Sequence, residues 1–397
     1  MRVTPTTIGN RIDALDMLRG FALLGILIAN MLTFHSPYFY IDPHSYFSTP
    51  GDMASYKIIN IFVEASFYPI FAMLFGYGLN MQYEKAIANR TSYVPMMARR
   101  LGILMGIGLI HALFVWSGDV LFSYALMGFI MLAAVRIPKR WLMWIAAIVY
   151  LIPTLLFIGL IYALYKLDPN QLMDGFVDIQ QIELAITAYA HGSYGEALVF
   201  RMTEWLLVGF ANSLLGVFMI LPLIMIGAAF SKRKLFERAA EWKGRIAVVG
   251  LIALVAGVFI KSWPYIDGHN YYNTLIQQLI GGPILAIGYA CVIILLCQLP
   301  IFMTIFRPIS KAGRMSLTTY LTQSIVATLL FYGYGFGLYG KVDIETGSLI
   351  AVGIFVIQVI FAELWLLKFR MGPFEWLWRK GTYGKSMPKK EEKQQVL

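Results

Sequence analysis

The chain has 397 residues, 59% of them hydrophobic and 14% charged, with a net charge of +10 at pH 7, a composition that excludes an ordinary water-soluble domain. Its basic residues fall in short runs between apolar segments rather than across a mixed surface, which also excludes nucleic acid as a partner. Cys291 and Cys297 share one apolar run, so neither a disulfide framework nor a cysteine-built metal site is available.

A helix needs about 20 apolar residues to cross a hydrocarbon core roughly 30 Å thick. Runs of that kind are predicted at 18–36, 57–80, 101–117, 120–136, 141–165, 204–230, 245–263, 275–298, 316–338 and 346–369. Unpaired backbone is costly in lipid and the runs are too long for barrel strands, so they span as helices. The predicted fold is all-α: a polytopic integral membrane protein of about ten transmembrane helices. The first run is read as a retained helix, because the bulky stretch Met31 to His35 offers no small-residue cleavage site.

In that arrangement one side of the membrane receives all but five of the 32 Lys and Arg residues, the exceptions being Lys57, Lys166, Arg201, Lys261 and Lys341. Positive charge marks the cytoplasmic side, so both termini are predicted inside. The expected organisation is a cytoplasmic segment 1–17, a transmembrane domain 18–369 and a basic tail 370–397, solvated and attracted to anionic lipid. An outer segment at about 166–203, carrying Asp168, Asp174, Asp178, Glu183 and Glu196, is expected to form short amphipathic helices.

Polar groups inside spans are costly and mark pathways, sites or helix-to-helix bonds. Asn30, Glu64 and His111 all fall in outer halves of their spans, and His35, His44, His191 and His269 lie on the same side. His111 follows Arg100 by eleven residues, and Asn30 follows Arg19 by eleven. That step returns to nearly the same helix face about 16 Å away, aligning an inner cation with a deeper polar group. Asp119, after Ser117-Gly118, is placed to cap the next helix or to polarise His111 across the turn. Glu64 is expected to be protonated or to pair with an arginine from another helix. Ser316, Tyr320 and Gln323, with Arg314 before them, form a polar stripe at a helix start and offer an anion seat, with interhelical hydrogen bonding as the competing role. Gly372-Pro-Phe-Glu-Trp-Leu-Trp-Arg379 reads as an interfacial aromatic anchor. Phosphate-loop, dinucleotide, zinc-protease, Cys-x-x-Cys and nucleophile-elbow motifs are absent from the sequence.

Five segments in order carry a resemblance: Leu15-Asp-Met-Leu-Arg-Gly-Phe-Ala-Leu-Leu-Gly-Ile-Leu-Ile-Ala-Asn30, Leu74-Phe-Gly-Tyr-Gly78, Ile110-His-Ala-Leu-Phe-Val-Trp-Ser-Gly-Asp119, Gly313-Arg-Met-Ser-Leu-Thr-Thr-Tyr-Leu-Thr-Gln323 and Gly372 to Arg379. Together they are similar to the YeiB family of bacterial inner-membrane proteins, which implies a multi-pass protein of the bacterial plasma membrane. The opening helix also resembles that of heparan glucosaminide acetyltransferase and, more distantly, the acyltransferase-three enzymes. These move an acyl group from cytoplasmic acyl-CoA to an acceptor across the membrane, and the acyltransferase-three enzymes pair an Arg or Lys with a His at the same helical spacing. Here Asn30 stands where that His would be on the first span, and Arg100 to His111 keeps the spacing on the third.

The resemblance implies acyl-CoA as co-substrate, and the inner cations and polar stripe, Arg19, Arg100, Arg314, Ser316, Tyr320 and Gln323, are the candidates to hold it. His111, Asp119, Asn30 and Glu64 would do the chemistry, and His35 and His44 are further histidine candidates. The acceptor would be a small molecule or glycan, the bilayer the other partner, and a homodimer compatible with the architecture. A secondary transporter and a non-catalytic scaffold are the alternative readings.

Overall fold

The computed structural model describes residues 12–168 and 177–384. Arg2, Arg11 and the tail from Lys385, counted in the charge reading, and Asp174 of the outer segment lie outside the described residues. The described chain is helical, with no strand. Its main elements are α1 Asp13–His35, α2 Pro50–Phe62, α3 Tyr68–Ala88, α4 Tyr93–Phe114 and α5 Leu121–Ala134. They continue with α6 Lys139–Leu167, α7 Tyr194–Met219, α8 Leu221–Ser231, α9 Lys243–Asp267 and α10 Tyr271–Leu296. The chain closes with α11 Pro300–Arg314, α12 Ser316–Phe331, α13 Ile344–Lys368 and α14 Pro373–Tyr383.

Seven of these, α1, α4, α6, α7, α9, α10 and α13, are long and apolar enough to cross a membrane. Helices α5, α8 and α12 are apolar but shorter. Helix α3 carries Asn80, Glu84 and Lys85 and is buried over most of Pro69 to Asn80, so there its sequence answers to neighbouring helices more than to lipid.

Three sequence expectations change. The run at 57–80 is not one helix: the chain unwinds between α2 and α3, where Ala65 has φ 57°. The run at 204–230 begins earlier, at Tyr194, contains a π-helical turn at Trp205–Gly209 and bends at Ile220, just before Pro222. The basic stretch Arg307 to Arg314, which falls between the predicted runs 275–298 and 316–338, belongs to the amphipathic helix α11, which packs along α1. Gly281-Gly282-Pro283 ends a π-helical turn, Ile276–Gly281, but the helix continues through it.

Two backbone contacts organise the bundle. A Cβ on Gly76 would lie 1.8 Å from the Ile224 carbonyl oxygen and one on Gly227 would lie 1.8 Å from that of Met73, so α3 and α8 touch backbone to backbone. Gly20 against Ile309 and Gly313 against Asp16 do the same for α1 and α11. Lipid supplies no hydrophobic drive between spans, and close approach of this kind is what dispersion and weak polar contacts require.

Contacts between distant segments gather the chain's connections at two ends. One end joins Tyr77 to Glu237, Thr318 to Glu375 and Arg100 to Trp378. At the other end Tyr38 meets Glu64, Tyr40 meets Glu204, the Gly340 amide meets the His35 carbonyl, and the rings of His44 and His269 meet each other.

Candidate functional site

His111 sits in the last turn of α4, only 2% exposed. Its Nδ1 lies 2.8 Å from Asp119 Oδ2, while Asp119 Oδ1 accepts the Phe122 amide at 2.9 Å and so caps α5. Its two oxygens thus reach the imidazole and the start of α5 separately. Gly108, one turn earlier, makes the approach fit: a Cβ there would lie 2.5 Å from the Phe122 nitrogen. Tyr320 of α12 sets its ring 5.3 Å from the imidazole and accepts the Val120 amide at 3.3 Å. Trp116, in the following turn, packs against Phe34, ring centroids 4.3 Å apart. A carboxylate on Nδ1 fixes the Nδ1–H tautomer, leaving Nε2 as the basic atom. That Nε2 is buried and has no hydrogen-bond partner among the described residues.

A second cluster adjoins this turn, and sequence reasoning missed it. Arg201 of α7 is fully buried; its Nη1 donates to the Phe114 carbonyl at 2.7 Å, and the guanidinium lies over the Tyr194 and Tyr332 rings. Its Nε and Nη2 find no partner among the described residues. One turn on, Glu204 accepts from Tyr40 at 2.7 Å, from Tyr189 at 2.9 Å and from Ser117. The turn Ser117-Gly118-Asp119 thus connects Glu204 to the His111 pair. The available signal was Arg201 as an exception to the charge separation, with an acid three residues later.

The third cluster fills the gap between α2 and α3. Glu64 accepts from Tyr38 at 2.6 Å and from Asn60 at 2.6 Å. No arginine pairs with it in the described structure. The nearby cation is Lys261 of α9, fully buried, whose Nζ donates to the Glu64 backbone carbonyl at 2.7 Å and so satisfies the unwound chain. Gln277, in the π-helical turn of α10, donates to the Asn60 side chain and to the Lys261 carbonyl. Beyond them His44 and His269 stack with centroids 3.7 Å apart, flanked by Tyr56 and Tyr265. Burial, reinforced by the neighbouring His44, lowers His269 to about 4, and burial lowers His44 as well. No third His, Cys, Asp or Glu joins them as a metal site among the described residues. His35 is separate and fully buried between Phe47 and Phe331, with neither nitrogen bonded among the described residues.

The remaining sequence candidates lie at the opposite end or apart. Arg19 pairs with Asp16 at 2.8 Å. Arg100 stacks over Trp378 of α14 at 3.9 Å, and the Trp378 indole donates to the Arg100 carbonyl. Arg314 donates to the Arg370 carbonyl at 2.6 Å. At the start of α12, Glu375 of α14 accepts the Leu317 and Thr318 amides at 2.7 and 3.0 Å and the Thr318 hydroxyl at 2.6 Å. The chain's own carboxylate therefore takes the amides of the expected anion seat, and burial pushes that carboxyl above its usual range. The polar stripe divides: Tyr320 faces His111, Gln323 bonds Gln358 of α13 at 3.1 Å, and Ser316 is half-buried at the helix start. Asn30 is half-buried on α1, its backbone carbonyl accepting from Thr33.

An apolar helical bundle with buried polar clusters inside it is a multi-pass membrane protein. The family described as "Protein of unknown function (DUF418)" matches residues 230–385. The chain is 33% identical to the uncharacterized protein YxaH of Bacillus subtilis (strain 168) over 396 residues, 96% of each chain. It is 30% identical to the uncharacterized protein YeiB of Escherichia coli (strain K12) over 392 residues, 93% of this chain and 95% of that one. A 39.9 kDa protein encoded beside an amylase of Bacillus acidopullulyticus is 30% identical over 97% of both chains. The chain belongs to the YeiB-like DUF418 family.

Proposed function

We propose that this protein is a plasma-membrane acyltransferase of ten crossings with both termini in the cytoplasm, and that His111 is its general base. The observation that carries the reading is the buried His111–Asp119 pair, whose second imidazole nitrogen has no partner among the described residues. Acyl-CoA would approach the basic end near Arg19, Arg100 and Arg314. Nε2 would take the proton of an acceptor hydroxyl or amine as its oxygen or nitrogen bonds to the thioester carbonyl carbon. The C–S bond then breaks, and the imidazolium returns the proton to the departing thiolate. Support for the orientation comes from the sequence, whose basic residues, five apart, fall in the connections of one side.

The test is thermal stability of detergent-purified protein across a titration of acetyl-CoA and longer acyl-CoAs, followed by thioester cleavage with candidate acceptors. A ligand at 100 times its Kd adds about 2.7 kcal/mol to a fold that alone binds it. His111→Ala should leave binding intact and lower turnover by about 10²–10⁴-fold. Full turnover in His111→Ala would overturn the assignment.

A secondary transporter is the second reading, favoured by the unwound stretch between α2 and α3, where Glu64, Asn60, Lys261 and Gln277 meet. Discontinuous helices with polar groups at the break are how transporters seat substrates and ions. Absence of any acyl-CoA response in folded protein, together with flux into liposomes that Glu64→Gln abolishes, would decide for it.

A further inference from the structure

Between α1, α3, α8, α9 and α10 lies a cavity of about 300 Å³, remote from the His111 site. Its walls are apolar, with Ile70, Leu74, Phe230, Val249 and Ile294 among them. Arg233 and Trp242, on the connection between α8 and α9, and Arg245, in the first turn of α9, also line it. Both arginines are exposed, and neither has a side-chain hydrogen bond or ion pair among the described residues. The acids nearby are already engaged: Glu237 accepts from Tyr77 at 2.5 Å and Glu241 pairs with Arg238 at 2.6 Å.

We infer that this cavity holds one acyl chain of an anionic phospholipid drawn from the adjoining leaflet, with the lipid phosphate bound between Arg233 and Arg245. Two features select a bilayer lipid over a water-soluble ligand. Val249 lines the cavity yet is half exposed, on the face of α9 that also presents Val248, Ile252 and Val255, so the cavity opens sideways toward the acyl chains. The arginines sit where the apolar stretch of α9 begins, the level of the headgroups, and guanidinium forks suit phosphate oxygens. Flanking arginines alone would only mark the membrane boundary. An apolar cavity directly behind them adds a place for one acyl chain.

The experiment uses the full-length protein, delipidated in detergent, with bound lipid counted by native mass spectrometry. Phosphatidylglycerol and phosphatidylcholine of identical chains are compared, with palmitoyl-CoA as the soluble phosphate-bearing competitor. One phosphatidylglycerol should bind selectively, and Arg233→Ala/Arg245→Ala should weaken it roughly ten- to thirtyfold, the attraction of two basic residues for an anionic headgroup. Ala290→Trp, which fills the cavity, should weaken both lipids. The Lys/Lys variant, charge-conserving and read in protein of unchanged melting temperature, should retain most of the selectivity. Equal retention of the two lipids, or undiminished phosphatidylglycerol binding in the Ala/Ala variant, overturns the proposal. So does palmitoyl-CoA that displaces phosphatidylglycerol and is itself weakened by Ala290→Trp, since it would then be the occupant of this cavity. None of these outcomes depends on whether the protein transfers acyl groups, because the readout is lipid occupancy.

Discussion

His111 and Asp119 are eight residues apart across one turn, and that closeness is why the pair was legible in the sequence. Arg201 and Glu204 were not, because what gives them meaning lies far along the chain: Phe114 is 87 residues from Arg201 and Tyr40 is 164 from Glu204. The two functions of Asp119 can be separated by substitution. Asp119→Asn keeps an oxygen for the Phe122 amide but no longer holds the Nδ1–H tautomer, so we expect turnover to fall while stability changes little. Asp119→Ala should lose the cap as well and cost about 1 kcal/mol in chemical denaturation. If both substitutions depress stability and turnover alike, the carboxylate acts only as a cap. At the other histidine pair the expectation concerns pH. His269 ionises near its ordinary 6.5 when unfolded but only at about 4 when folded, and His44 is shifted in the same direction. Above pH 6.5 both states are neutral and the folded state keeps its full advantage. As the pH falls from there toward 4, the unfolded chain takes up protons that the folded cluster refuses, and stability declines. The melting temperature should therefore drop across that window, and His269→Asn should flatten the drop.

Helices were legible where apolar length alone decides, as in α1, α6 and α13, and misread where a neighbour decides. The unwinding at Glu64 is invisible to a hydropathy count, because the residues that stabilise it, Tyr38, Lys261 and Gln277, come from other segments. Helix α11 was hidden because its basic residues look like a loop until one of its faces is matched to α1. Gly372 to Arg379, read as an interfacial aromatic anchor, owes its position to Glu375, which caps α12 some 57 residues upstream. Two substitutions test these element contacts. Gly227→Leu would drive a side chain into the Met73 backbone and force α3 and α8 apart, so we expect overpacking of about 1–3 kcal/mol or more, read as a lower melting temperature. Glu375→Ala leaves the Leu317 and Thr318 amides without acceptors, at about 1–3 kcal/mol, and should release α14 to proteolysis near Trp378 while the rest of the bundle stays protected. An α14 that remains protease-resistant in Glu375→Ala would mean that the Arg100–Trp378 stack alone secures it.

For the whole molecule the decisive quantity is the parity of crossings. The charge separation comes from composition and the two sets of end contacts from packing, and four positions allow the two to be compared. Lys234 and Lys380 fall with the Tyr77–Glu237 and Thr318–Glu375 contacts, whereas His191 and Lys341 fall with Tyr189 and His35. All four are exposed, so each accepts a cysteine without disturbing the interior. In a background with Cys291 and Cys297 replaced by serine, a membrane-impermeant maleimide applied to intact spheroplasts should label His191→Cys and Lys341→Cys. Lys234→Cys and Lys380→Cys should react only after permeabilisation. Labelling of all four from outside would mean that the short helices α5, α8 and α12 do not complete crossings. Labelling of Lys380→Cys alone among the inner pair would give an odd count and place the basic tail outside, against the positive-inside asymmetry that most multi-pass proteins obey.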